Sequence, residues 1–246
     1  KSMTAAHDST RDGCTDDIRI VAISIDEVEG ADEVLDEHER LRASRFRFER
    51  DRRRYVAVHT TLRRLLGLEL GVKPSELTFQ RGRHGKPHLE WPRVDLRFNL
   101  SHSGDYALVA LTSRREIGVD IEQHRPLDAQ LMSAIAFSSS ERNALARVPA
   151  DQRLDAFYRG WTRKESFVKA RGDGLFCPLE KFDVSLDEDG VQLLIGCRVA
   201  DDKRRDWVIR GVTVSEGYSA AVTFESPGGP QNALARPAIV MSTWLN

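Results

Sequence analysis

The 246-residue chain carries 37 Lys and Arg against 38 Asp and Glu, giving a formal charge of −1, and 40% of it is apolar, enough for one large core or two small ones. That balance argues against a protein clothed in basic charge for nucleic acid, although 30% charged residues leaves room for strong local fields. Cys14, Cys177 and Cys197 are odd in number and form no CxxC pair, which points away from a disulfide framework or structural zinc and toward a reducing compartment.

Residues 1–17 are polar and small and read as a flexible leader, and no run approaches 18 apolar residues, so a cytoplasmic protein without membrane contact is expected. The fold is expected to start at IRIVAISI (18–25), whose β-branched density suits a buried strand. A helix is predicted over 31–43 and another over 51–66, where Tyr55, Val58, Leu62, Leu65 and Leu66 recur at helical spacing ahead of Gly71 and Pro74. Short strands follow at 77–80, 97–100 and 106–112, the last two joined by a turn at Ser103, Gly104 and Asp105. Then come a strand at 117–122, a helical region over 127–147, a long helix over 151–171 stopped by Gly172, and strands at 182–186, 191–195, 207–214 and 218–224. The tail from Pro227 is rich in Gly, Pro and Ala until AIVMSTWL (238–245), which reads as a strap over 227–246 packing back on the body. Both halves mix helix and strand.

The most informative chemistry lies in GVDIE (118–122) and WTRKESFVKARGDG (161–174). Asp120 and Glu122 alternate with Ile117, Val119 and Ile121, so a strand turns both carboxylates to one face. Glu165 lies on the apolar stripe of the long helix, which also carries Lys164 and Lys169. Taken alone, Glu165 and Lys169 could be an exposed i, i+4 ion pair, and the DxE pair a solvated strand end. Together they offer three hard oxygen ligands, which suit magnesium better than zinc, with ammonium groups for a diphosphate.

FNLSHSGDY (98–106) supplies Asn99, Ser101, His102 and Ser103, either as ordinary turn residues or as hydroxyl and imidazole donors to a phosphate. RGRHGKPHLE (81–90) is a cationic surface turn by itself, and Ser138 with Glu141 reads as a capping box. From Arg40 to Arg54 there are eight arginines and two acids. Such a run is a solvated helical face or a polyanion contact, and it keeps an RNA-binding module open as an alternative, against which stand few interleaved aromatics and no RNP-like or helix-turn-helix pattern.

With these residues in view, GKP (85–87), FNLSHSG (98–104), IGVDIE (117–122) and WTRKESFVKARGDGL (161–175) resemble, in order, the motifs of the 4′-phosphopantetheinyl transferases of the large, monomeric, surfactin-synthetase-activating type. The resemblance implies an α+β fold of two similar halves, here 18–112 and 113–226, packed as an intramolecular pseudo-dimer with coenzyme A in the cleft between them. It implies transfer of the 4′-phosphopantetheine arm of coenzyme A to a serine hydroxyl of an apo acyl or peptidyl carrier protein, releasing 3′,5′-ADP, with Mg2+ held by Asp120, Glu122 and Glu165. Lys164 and Lys169 would contact the pyrophosphate, Ser101 and His102 the nucleotide phosphates, and Lys86 with Pro87 would border the adenine. Arg42 and Arg54 are the candidates for the 3′-phosphate. Glu165 is the candidate general base and Lys169 would neutralise the leaving group. Within 124–137, Leu127, Leu131, Met132, Ile135 and Phe137 recur near helical spacing, either as core or as a face that docks the carrier. A coenzyme A or nucleotide-phosphate binding protein without catalysis is the alternative.

Overall fold

A computed structural model describes residues 17–174, 177–187, 191–193, 196–197, 199, 207–226 and 238–244. The chain opens with strand β1 (Ile18–Ser24), then helices α1 (Glu37–Ala43) and α2 (Glu49–Leu70), strands β2 (Thr78–Arg81), β3 (Pro87–Trp91), β4 (Leu96–Ser103), β5 (Tyr106–Ser113) and β6 (Ile117–Gln123). Helices α3 (Ala129–Ala136), α4 (Ser139–Arg147) and α5 (Arg153–Arg171) lead to β7 (Phe182–Asp183), β8 (Val191–Leu193), β9 (Gly196–Cys197), β10 (Trp207–Gly211), β11 (Tyr218–Glu225) and β12 (Ile239–Thr243).

Two four-stranded sheets organise the core, one ordered β12-β1-β5-β4 and the other β6-β11-β10-β8. The apolar run of β1 is explained by burial on both faces: Val21 and Ile23 pack with α2 residues such as Leu62 and Leu66, while Ile18 and Ile20 pack with Ile117, Val119, Val222 and Phe224 of the second sheet. The far face of the second sheet takes Phe167, Val168 and Ala170 of α5 against Trp207 and Ile209. The layers are therefore α2, first sheet, second sheet, α5, an α+β arrangement.

Several expectations change in detail. The helix at 31–43 shortens to α1 behind a 3-10 turn at Asp32–Val34 and starts on an Asp36/Glu39 capping box, while the second helix extends to 22 residues before Gly71 caps it at φ +66°. The helical region at 127–147 is two helices, and Ser138 with Glu141 forms the predicted capping box of α4. Strand β3, antiparallel to β2, occupies what reads in the sequence as a cationic loop. The segment at 238–245 contains a strand: β12 pairs in parallel with β1 from Ile18 opposite Ile239 to Ala22 opposite Thr243. Residues 1–16 and 227–237, which hold the leader and most of the strap, lie outside the described residues.

Candidate active site

Strand β6 turns Ile117, Val119 and Ile121 into the core between the sheets, so Gly118, Asp120 and Glu122 face α5. A β-carbon built on Gly118 would lie 2.1 Å from the Ser166 carbonyl oxygen and 2.3 Å from the Ala170 amide nitrogen. Only glycine lets α5 come this close, and the contact sets Glu165 and Lys169, the neighbours of Ser166 and Ala170, beside the acids of β6. Lys169 Nζ donates to Asp120 Oδ1 at 2.6 Å and to Ser101 Oγ at 2.8 Å. Ser101 Oγ donates to the same Asp120 oxygen at 2.9 Å, and Ser103 Oγ donates to Glu122 Oε2 at 2.8 Å.

All three acids titrate above their ordinary range. Burial is the largest cause in each case; the charge of Asp120 lifts Glu165 and Glu122 further, and Glu122 adds to Glu165, while Lys169 pulls each of them back. The carboxylates are thus crowded enough to repel one another through a partly desolvated space. Among the described residues no three His, Cys, Asp or Glu side chains already form a metal cage. The donor set nonetheless fits a hard cation: it is all carboxylate oxygen, and Asp120 Oδ2 is buried with no hydrogen-bond partner among the described residues.

Lys164 corrects the sequence reading. It is fully buried, with Nζ 2.8 Å from Glu141 Oε2 and donating to the carbonyl oxygens of Leu179 and Phe182 at 2.8 and 2.6 Å. One residue back on a helix is about 100° around the axis, so Lys164 leaves the face that Glu165 and Lys169 share and braces α5 against α4 and the turn before β7. Ser101 also differs from expectation. Successive residues of β4 face opposite ways, so Ser101 reaches Asp120 while His102 points to the other side of the strand. The single Ser101 proton is committed to Asp120, which leaves that hydroxyl none to donate to a nucleotide phosphate.

Around His102 the field is positive. Burial first, then the charges of His59, Lys169, Arg42 and Arg54, hold its pKa below the ordinary imidazole value. Arg42 is exposed, its guanidinium over the Tyr55 ring at 5.8 Å. Arg54 spends its guanidinium on the β4–β5 turn, donating to the Gly104 carbonyl at 2.7 Å and to Asp105 at 2.5 Å, so it contributes charge more than a free fork. Lys86 Nζ bonds Glu116 at 2.8 Å and the Ala170 carbonyl at 2.9 Å, tying β3 to the end of α5. Burial lowers its pKa against the pull of Glu116. Pro87 lines a cavity of about 200 Å3 with Phe79, Phe98, Leu100, His59 and Glu39.

Sequence reasoning missed that cavity's polar wall. Arg63, fully buried, is bonded at 2.6 Å to both Asp36 and Glu39, and Glu39 accepts from His59. Burial works against the charge on Glu39, but His59 and Arg63 hold its carboxyl below the usual range. A larger cavity of about 800 Å3 lies by Ser140, Arg147, Arg159, Asp183 and Asp187, away from the three acids. On α3, Leu131 and Ile135 are 66% and 74% exposed and Met132 37%, whereas Phe137 is buried and Leu127 packs partly on the core. No helix among the described residues is long and apolar enough to cross a membrane.

The family model of the 4′-phosphopantetheinyl transferase superfamily matches residues 116–223, and that of the N-terminal region of 4′-phosphopantetheinyl transferases matches 24–114. The 4′-phosphopantetheinyl transferase HetI of a Nostoc species is 36% identical over 179 residues, covering 70% of this chain and 75% of that protein. The 4′-phosphopantetheinyl transferase Sfp of Bacillus subtilis is 32% identical over 193 residues, covering 78% and 83%. The human L-aminoadipate-semialdehyde dehydrogenase-phosphopantetheinyl transferase is 30% identical over 211 residues, covering 79% and 68%. With both matched regions in chain order and the acids of β6 and α5 in one place, this chain belongs to the 4′-phosphopantetheinyl transferase superfamily and is a transferase of that class.

Proposed function

We propose that this enzyme moves the 4′-phosphopantetheine arm of coenzyme A to a serine hydroxyl of an apo acyl or peptidyl carrier protein and releases 3′,5′-ADP, working as a cytoplasmic monomer with Mg2+. The observation that carries the reading is the convergence of Asp120, Glu122, Glu165 and Lys169 where β6 meets α5, with one Asp120 oxygen buried and unpartnered among the described residues. Asp120, Glu122 and Glu165 would hold the ion, which when bound neutralises charge on the diphosphate and polarises the phosphorus under attack.

The residues of the chain account for the rest. The carrier serine oxygen bonds to the phosphorus that bears pantetheine, and the bond from that phosphorus to the 5′-phosphate oxygen of 3′,5′-ADP breaks. Glu165 accepts the serine proton; without a cation, burial and then its acidic neighbours raise its pKa above the ordinary carboxylate value, the direction that strengthens a base. Lys169 lies beside Asp120 and compensates the charge that builds on the departing ADP. Positioning and charge dominate such transfers, and the nucleophile comes from the partner.

Coenzyme A is read as spanning this cluster and the 200 Å3 cavity, its adenine against Pro87, Phe79 and Phe98 and its phosphates toward His102 and Arg42. Residues 18–112 and 113–226 are read as similar halves of a pseudo-dimer, a reading supported by two four-stranded sheets, each backed by a long helix that ends in a left-handed glycine. The exposed Leu131, Met132 and Ile135 of α3, within 124–137, are the proposed docking face for a carrier helix, and the exposed Arg125, six residues before Leu131 in the chain, adds positive charge for an acidic partner. The test incubates the protein with apo carriers of several types, coenzyme A and Mg2+, and weighs the carriers by mass spectrometry. A phosphopantetheine adduct on at least one is expected; its absence from all of them refutes the reading.

A further inference from the structure

Strand β4 meets β6 at a seam made by side chains. Val119 N donates to Asn99 Oδ1 at 2.8 Å, Ile121 N to Ser101 Oγ at 3.4 Å and Gln123 N to Ser103 Oγ at 3.1 Å, each pair 20 residues apart. Alternate side chains of one strand thus satisfy alternate amides of the other, which run in the same direction. The same two serines donate to the residue 19 positions on, Ser101 to Asp120 and Ser103 to Glu122. Nineteen residues beyond Asn99 stands Gly118, which has no side chain to hold, and there the comb carries an amide instead of a hydroxyl.

Hydrogen-bond accounting gives these hydroxyls one arrangement. Ser103 Oγ accepts from the Gln123 amide and Ser101 Oγ from the Ile121 amide and the Lys169 ammonium, groups that can only donate. Each hydroxyl proton is therefore directed at the carboxylate. A carboxylate on a strand has a freely turning terminal torsion, and two or more ligands of one ion must be held against that freedom and against their mutual repulsion.

We propose that Ser101 and Ser103 are positioning residues for the transfer reaction: anchored to the backbone of β6, they fix the carboxylates of Asp120 and Glu122 in the orientation in which these acids take a divalent cation, whereas Asn99 only closes the seam. The inference rests on the cation-dependent transfer proposed above and adds to it which groups outside the acids set cation affinity. It also gives the alternating Asn-x-Ser-x-Ser pattern two separate duties, stability at Asn99 and ligand orientation at Ser101 and Ser103.

The test measures Mn2+ binding by electron paramagnetic resonance on the intact protein with saturating coenzyme A, alongside the melting temperature, for wild type, Ser103→Ala, Ser103→Thr and Asn99→Ala. Ser103→Ala is expected to weaken Mn2+ binding by about 10–100-fold, and Ser103→Thr, which keeps the hydroxyl, to stay within about threefold of wild type. Asn99→Ala is expected to lower the melting temperature and leave Mn2+ affinity within the same range. A folded Ser103→Ala protein with wild-type affinity overturns the proposal, as does an Asn99→Ala loss equal to that of Ser103→Ala. Should wild type itself take up no Mn2+, the cation-dependent reading fails first and this inference with it.

Discussion

Replacing Gly118 by alanine tests how the site is held. The added β-carbon would sit 2.1 Å from the Ser166 carbonyl oxygen, 2.3 Å from the Ala170 nitrogen and 2.9 Å from its α-carbon. All three are backbone atoms of α5, so no side chain can rotate away, and reaching an ordinary contact near 3.4 Å requires β6 and α5 to part by about 1 Å. Overpacking of this kind costs about 1–3 kcal/mol, and the rigid neighbours place Gly118→Ala at the upper end. At about 2–4 °C per kcal/mol for a chain of this size, the melting temperature should fall by roughly 6–12 °C. Because Glu165 and Lys169 ride on the displaced helix, transfer at a temperature where the variant remains folded should fall by about 100-fold, the scale of a 1 Å misplacement. Circular dichroism melting and a carrier-loading assay check both numbers. A Gly118→Ala protein with wild-type melting and wild-type turnover would refute the close-approach argument.

Lys164→Met should cost about 3–5 kcal/mol by leaving Glu141 buried without its cation, while the KM for coenzyme A of the folded fraction stays unchanged; a stable variant with a raised KM would return Lys164 to the site. For Glu165, burial and then Asp120 lift the folded pKa above the unfolded one, so stability associated with this group is full below the unfolded value near 4.3 and is lost as pH rises through the folded value. In buffer free of divalent cations Glu165→Gln should therefore melt higher than wild type at pH 7, with the gap closing by pH 4, and with Mg2+ supplied it should lose transfer; equal melting at pH 7 without the ion would contradict the crowding. Leu131→Asp and Ile135→Asp on α3 should raise the KM for carrier by about tenfold or more, the scale of losing a buried anchor, and leave the KM for coenzyme A alone; equal effects on both would count against docking there.

Much of this was legible in the sequence. The β-branched density of 18–25 placed β1, period-two alternation placed β6, helical spacing with a terminal glycine placed α2 and α5, and the DxE pair with Glu165 marked the acids. The capping box of α4 was also readable, though not that Glu141 doubles as the counter-ion of buried Lys164. Lys164 sits next to Glu165 in the motif but not on the helix surface: Glu165 and Lys169 share a face, and Lys164 turns to Glu141. The direction of Ser101 was hidden for a different reason. Alternation shows that Ser101 and His102 diverge, but which one meets the acids depends on β4 lying beside β6, a long-range pairing with no local signal. The period-two Asn99, Ser101, Ser103 series was the available clue to that seam. Strand β3 escaped notice because Pro87 and its charged, Gly-containing approach resemble a turn, a composition tolerated in a two-stranded ribbon. The His59–Glu39–Arg63 network joins residues separated by up to 24 positions, which single-sequence spacing does not connect.

The most direct test of the central claim follows the initial rate of carrier loading as free Mg2+ is removed with chelator and restored, in wild type and in Asp120→Asn. The account predicts that loading stops under chelation and returns with Mg2+ in wild type, and that the Asp120→Asn rate stays low throughout. A wild-type rate indifferent to chelation, or an Asp120→Asn protein that responds to Mg2+ as wild type does, would contradict it.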